Sequence, residues 1–428
     1  MKSFLLKSFF LLVCATLTLS NQLWAEEANL SLVQAIALVQ QNRALLAQKQ
    51  GAEALSFKAK QSSSLPNPVL SLGLLNLPSD SFALNQEDMT QFQLGLSQAI
   101  PFPGKRDLRA SSDYDLAKAE AEGVHEFSLR LVSQVKRSWW RLFYVDHALE
   151  AVLHNQQLMR QLIRIAESKY KVGKGLQQDV LLAQLELSKL LDMRLQLDAV
   201  RKQEVATLNT LLNRPVNQLI TLPLLGKENL PALFTEAELV ALALVSRPSL
   251  AKQKYMINAA QSRVSLAEKE NYPDFKLGVS YGFRAKNPTT NINRADLASV
   301  TLSMSLPFFT GDKQDGQQQQ RQAELMREDF QYQDIRNKVM LEISQAFSAY
   351  EQAKSQAALF RSGIIPQAKQ TVASMLAAYQ VNKVDFLNLV RVQVTLYNYE
   401  TQYWQAITQA NQALARLKAA VGKDVTHE

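Results

Sequence analysis

The chain has 428 residues, a formal net charge of +8 and a single cysteine, with only 14 glycines and 13 prolines. So few helix breakers among abundant Ala, Leu, Gln and Lys/Arg point to a mostly helical protein and not to a stack of ordinary globular domains. The modest positive charge is interleaved with acids, which argues against a nucleic-acid footprint, and one cysteine excludes a disulfide framework.

The first residues read as a secretory leader: Lys2 and Lys7, an apolar core from Phe9 to Leu19, and a cleavage site after Ala25. A core of about eleven residues is short of the ~20 a transmembrane helix needs. Removing 1–25 takes away two lysines and no acid, so the charge falls from +8 to +6. Cys14 leaves with the leader. Val13 before it is a poor neighbour for lipid attachment, so no lipid anchor is expected.

From Leu30 to about Gln61 the spacing of Leu32, Ile36, Val39 and Leu46 predicts a helix, ended by Leu65-Pro66-Asn67-Pro68. Val69–Leu77 then reads as a strand, and Phe92, Leu94 and Leu96 alternate with polar or small residues in a second one. Gly104 to Tyr170 follows as one long helix, roughly 100 Å at ~1.5 Å per residue. Its apolar residues keep a seven-residue beat, broken only at Ser128, Ser138 and Gln156: Tyr114, Ala121, Val135, Leu142, Leu149, Ile163 and Tyr170 in one set. Ala117, Val124, Leu131, Val145, Val152, Met159 and Ala166 form the other. Gly173 and Gly175 turn the chain, and a return helix runs from Asp179 to about Leu212.

After a proline-bearing link the same programme restarts, at offsets of about 204–209 residues. Ser246-Arg247 answers Asn42-Arg43, and Tyr272-Pro273-Asp274 answers Leu65-Pro66-Asn67. Strands are expected at Phe275–Phe283 and Val300–Leu306, a second long helix over 311–379 with a kink at Gly363 and Pro366, and a last helix from Asp385 to about Val421. The chain is therefore a tandem duplication: leader 1–25, first repeat 26–223 and second repeat 224–428, with hairpins at 69–100 and 275–306 and return helices at 179–212 and 385–421.

Each repeat supplies two strands with one apolar and one small, polar face, the pattern of a membrane barrel. Four strands cannot close a barrel, and open edges are prohibitively costly in lipid, so strands must be pooled between copies. Alternation alone also fits hairpins capping a soluble bundle. The leader and the lack of any other apolar anchor favour the membrane.

The words QAIPFPGKR at 98–106, YKVGKGLQQDVLLAQ at 170–184, NYPDFKLGVSYGF at 271–283 and LPFFTGD at 306–312, in this order and duplicated, resemble the TolC-type outer-membrane efflux family over essentially all of 28–422. The resemblance implies a mainly α fold with a small β part, assembled as a trimer with a 12-stranded β-barrel in the outer membrane of a Gram-negative bacterium. A 12-helix α-barrel would cross the periplasm. It implies a passive exit duct fed by a periplasmic adaptor and an inner-membrane pump of the proton-driven RND type. IPFPGKR and KSQAALFRSGIIPQAKQ look more like the heavy-metal cation branch than the general drug branch.

The resemblance also implies a gate at the periplasmic turns, with Gly173, Gly175, Asp179, Tyr379 and Asp385 matching family positions and Lys383 the nearest candidate for the family's paired base. VNKVD reads as three residues shorter than VGKGLQQD, and a second family acid is Asn388 here. Asp179 and Asp385 also read as simple helix caps. A type I protein-secretion channel and a soluble periplasmic coiled-coil scaffold or adaptor are the rival functions. Nothing reads as catalytic, and no cofactor or nucleic-acid partner is expected. Of His125, His147, His154 and His427, only His147 and His154 have a spacing that could share a helix face, and two imidazoles make a poor metal site.

Overall fold

The computed structural model describes residues 29–223, 230–308 and 310–426. The expected leader with Cys14, and His427, lie outside them.

Ser31 opens α1 (Leu32–Leu38) with a reciprocal capping box to Gln34. The helix expected over 30–61 is not continuous. A 3-10 turn (Val39–Gln41) intervenes, and α2 (Arg43–Ser62) starts afresh. The break is at Asn42, whose Oδ1 accepts from the N–H groups of Ala44 and Leu45 while its Nδ2 donates to Leu211 O. An N-cap of this kind competes with continued helix.

The strands are β1 (Val69–Leu75) and β2 (Gln91–Ile100), then after the long helices β3 (Phe275–Arg284) and β4 (Leu297–Met304). β1 ends at Leu75, two residues earlier than expected, because at Asn76 φ is +54°. β4 lies earlier than the expected 300–306, because Ser305 N–H turns back to Asp274 O and Leu306 leaves the ladder. Helix α3 (Lys105–Lys171) is 67 unbroken residues, and α4 (Gln177–Leu211) follows it. The second repeat runs α5 (Glu236–Ser246), α6 (Pro248–Lys269), β3, β4, α7 (Asp315–Leu359), α8 (Ile365–Gln380) and α9 (Phe386–Val421). The expected kink takes the form of a π turn, Phe360–Ile364, with Pro366 in the first turn of α8. A second π turn, Thr310–Gln314, precedes α7.

The chain divides into two compact units. One comprises residues up to Leu46, Ser128–Val245 and everything from Met340. Its core is aromatic: Trp139, Trp140, Phe143 and Trp404 meet edge-on or stacked, and the His147 ring lies flat on Trp404 at 3.9 Å. Trp139 donates its indole N–H to Leu30 O at 2.9 Å, and Gln393 donates to Asn155 across buried helix faces at 2.9 Å. Of the two heptad sets on α3, the one from Ala117 to Ala166 is buried throughout. In the other set Val135 and Leu142 are buried, but Tyr114 and Tyr170 at its ends are about half exposed.

The other unit comprises Ala47–Phe127 and Ser246–Val339. The four strands form one antiparallel sheet in the order β1-β2-β3-β4, so the two hairpins join through β2 and β3. Lys105, with a side chain 3% exposed, ties the sheet's exit to the start of α3. Its Nζ donates to Glu270 at 3.1 Å, to Tyr272 O at 3.0 Å and to Asp274 at 3.0 Å. Asp274 also accepts from Phe102 N–H at 2.8 Å. Deeper in the unit, Arg247 and Glu126 form a buried ion pair at 2.7 Å.

Candidate functional site

Two places carry chemistry that packing alone does not require: the surface of the sheet, and the pair of helix-to-helix turns.

In the sheet, register places like with like. Leu70, Leu96, Val279 and Val300 form one cross-strand row, and Leu72, Leu94, Tyr281 and Ala298 the next. This apolar side is open along its whole width: Leu72, Leu96, Val279 and Val300 are 65%, 49%, 50% and 76% exposed. The opposite side is small and polar. Ser71, Gly95, Ser280 and Ser299 share a row, and Gln93 Nε2 donates to Ser280 Oγ at 2.8 Å. At Gly95 the strands approach closely, since a Cβ there would stand 2.6 Å from Ser71 Oγ and turn that hydroxyl aside. β1 and β4 are both edges, with one strand neighbour each. Among the described residues no helix is long and apolar enough to cross a membrane.

At the turns, α3 gives way to α4 through 172–176 and α8 to α9 through 381–385. The second turn is not three residues shorter: the two have equal length and the same hydrogen bonds. Lys174 N–H donates to Lys169 O at 2.8 Å, and Lys383 N–H to Ala378 O at 2.9 Å. Gly173 (φ +69°) and Asn382 (φ +60°) hold the equivalent left-handed position. The last extended residue before each return helix is Leu176 in one turn and Asp385 in the other. Asp385 is thus a true N-cap, accepting from Asn388 N–H at 2.9 Å. Asp179 lies inside α4 at the position of Asn388 and caps nothing, although its charge suits that first turn. Matching VGKG to VNKV reveals this alignment.

The structure brings Asp179 and Tyr379 together. Burial, then the neighbouring Asp179 carboxylate, push the Tyr379 phenol up to about 12. Its hydroxyl is buried and makes no hydrogen bond of normal geometry. The ring lies 5.2 Å from that of Phe386, over a core that includes Met159, Leu162, Ala183 and Leu389. The cation at this place is Lys169, not the expected Lys383, whose side chain is exposed. Lys169 Nζ sits 4.2 Å above the Tyr379 ring and donates to Tyr379 O and to Asn382 Oδ1. The sequence signal for it is a lysine in the last turn of a helix, where carbonyls lack partners. Gly175 is needed because a Cβ there would meet Lys169 Cβ at 2.9 Å and Tyr170 N at 3.1 Å. A cation, a neutral phenol and a carboxylate thus come together between the two turns.

The fold has close counterparts. Superposition on the outer membrane protein VceC of Vibrio cholerae gives a TM-score of 0.76 over 92% of this chain and 96% of that one, at 17% identity. On the transmembrane channel CusC it gives 0.76 over 92% of each chain, at 15% identity. The outer-membrane channel OprN gives 0.75 over 91% and 89%, at 18% identity. The chain has the TolC-like channel fold. Residues 239–423 also match the sequence model of the family described as outer membrane efflux protein. Outer membrane efflux protein BepC of Brucella suis biovar 1 is 26% identical over 320 residues, 73% of this chain and 65% of BepC. Cobalt-zinc-cadmium resistance protein CzcC of Cupriavidus metallidurans is 22% identical over 188 residues, 44% of this chain and 43% of CzcC. The matched stretch is under two thirds of either relative's length. Mainly helical architecture with one small antiparallel sheet is thus common to this chain and these counterparts.

Proposed function

We infer that the chain is the outer-membrane exit duct of a tripartite efflux system, passing small substrates passively outward. The observation that carries this reading is the sheet: an apolar side exposed from β1 to β4, a polar side of Ser, Gly and Gln, and two open edges. Left in water, that apolar side would be an aggregation surface, and left single in lipid, its edges would strand backbone groups. Three copies supply twelve strands, bury every edge, turn the leucines to lipid and the serines to a wet lumen. This favours the duct over a soluble scaffold, in which the leucines would need to be covered by protein.

In this account the helical unit lies in the periplasm and meets an adaptor, which joins it to an inner-membrane pump of the RND type. Energy comes from the pump. Heavy-metal cations are the substrate class supported by the likeness to CzcC, a cobalt-zinc-cadmium resistance protein. The turns bearing Gly173, Gly175, Asp179, Tyr379, Lys383 and Asp385 are the periplasmic gate, with Lys169 added and Asp385 assigned to capping. The repeats divide as 26–223 and 224–428. Fractionation of cells tests the reading: the protein should sediment with the outer membrane and require detergent for release. Recovery in the osmotic-shock fluid would rule it out.

A further inference from the structure

The duplication specifies something the single chain does not display: the register of the joint between copies. Within the first hairpin Leu72 faces Leu94, and within the second Val279 faces Val300. Pro66 answers Pro273, 207 residues on, and Pro101 answers Pro307, 206 residues on, so the outer strand moves by 207 residues (72 to 279) and the inner by 206 (94 to 300). The same two shifts carry Val69↔Ser97 onto Lys276↔Ser303, which is also observed. β1 thus stands for β3 and β2 for β4, residue by residue, and the two hairpins are copies in register as well as in sequence pattern.

The joint between the hairpins, β2 to β3, is seen directly: Leu96 faces Val279, Gly95 faces Ser280 and Ser97 faces Gly278. In a closed ring of hairpins the next joint is β4 to β1 of another copy. Applying the same two shifts to the β2–β3 pairs, we propose that β4 of one copy adds to β1 of a second copy with Leu302 facing Leu72, Thr301 facing Gly73 and Ser303 facing Ser71. The pairing is antiparallel, and it keeps both faces continuous. Val300 meets Leu74 and Met304 meets Leu70 on the apolar side, while hydroxyls and glycine meet on the other. A register slip of one residue would set leucines against serines across the whole joint.

A second observation below the strands agrees. Phe102 stacks on Tyr272 at 4.6 Å where the β2–β3 joint leaves the sheet. The same shifts turn Phe102 into Phe308 and Tyr272 into Leu65. In the single chain these are 78% and 46% exposed, as two halves of an unmade contact would be. One difference is built in. Lys105 and Asp274, which lock the β2–β3 exit, correspond to Gly311 and Asn67, so the joint between copies has no ion pair at that place.

This inference rests on the ring of copies proposed above, and cysteine cross-linking separates the two. On a Cys14→Ser background, Thr301→Cys is paired in one chain with Gly73→Cys. Separate variants pair Ser299→Cys or Ser303→Cys with the same Gly73→Cys. Aligned residues of neighbouring antiparallel strands are about 4.5–5.5 Å apart at Cα, within disulfide reach, while diagonal ones are about 7–8 Å apart by Cβ. β1 and β4 are opposite edges of one sheet, so a disulfide between them must join different copies. After mild oxidation, non-reducing electrophoresis should show the 301/73 variant mostly as covalent dimers and trimers and the other two mostly as monomers. Faster linking of either neighbour variant, or no linking in a protein that still runs as a native trimer and conducts ions, overturns the register and leaves the duct standing. A protein that is monomeric before oxidation overturns both.

Discussion

Lys105 is the side chain whose loss should most clearly report on how the sheet is fastened to α3. Its side chain is 3% exposed and its ammonium holds Glu270, Tyr272 O and Asp274 at 3.0–3.1 Å. Lys105→Met keeps most of the aliphatic stem and deletes the charge. A hydrogen bond to a charged group contributes about 1.5–3 kcal/mol when dry, and an exposed ion pair about 0–1 kcal/mol. Glu270 and Asp274 are 29% and 46% exposed and can rehydrate, and Asp274 keeps the Phe102 N–H. The expected cost is therefore about 2–3 kcal/mol, below the ~3–5 kcal/mol of breaking a wholly buried pair on one side. Guanidinium unfolding in detergent, followed by circular dichroism, measures it. The double variant with Asp274→Asn should show about 1–2 kcal/mol of coupling. Lys338→Met, which removes an exposed pair with Asp334 at 2.6 Å, should stay within about 0.5 kcal/mol. Additive effects of Lys105→Met and Asp274→Asn, or a Lys105 loss no larger than that at Lys338, would refute the lock.

Three further outcomes follow from the helical unit. Gly173→Asn should unfold within about 0.5 kcal/mol of the parent, because Asn382 already holds the equivalent left-handed position, whereas Gly173→Val should cost more than about 1 kcal/mol; equal effects would contradict the matched turns. Asp385→Ala should cost about 1 kcal/mol of stability with single-channel conductance unchanged, while Asp179→Ala or Lys169→Ala should raise conductance; the reverse pattern would show that the gate is wrongly assigned. His147 is pushed below its usual 6.5 by burial, against the opposing pull of Glu150 and Asp146. Its neutral form is the one the fold holds, so this contribution is whole above pH 6.5 and declines as the pH falls below that value. His147→Gln should flatten that part of the stability profile between pH 6.5 and 5, and an unchanged slope would remove the stacked imidazole from the account.

Much of this architecture was legible in the sequence for identifiable reasons. α3 carries neither proline nor any glycine but Gly123, so its continuity could be read directly, and the strands alternate so regularly that their faces were right even where their ends were not. The misses share a cause: the deciding contact is distant or local to the backbone. Asn42 ends one helix and starts another through its own side chain and Leu211 O, with no glycine or proline to announce it. Ser305 turns β4 away by bonding Asp274 O, 31 positions back. At the turns, dihedral angles, not charges, set the alignment, and they put a leucine where the second repeat has its capping aspartate. Lys169 is not marked by its neighbours in sequence, because its partners, Tyr379 O and Asn382, lie more than 200 residues on.

The central claim is that the exposed leucine side of the sheet belongs in lipid around a pore. Reconstitution of the purified protein into a planar lipid bilayer tests it most directly. The account predicts discrete conductance steps carried by an assembly of three chains. A protein that stays in water as a single chain and leaves the bilayer silent would contradict it.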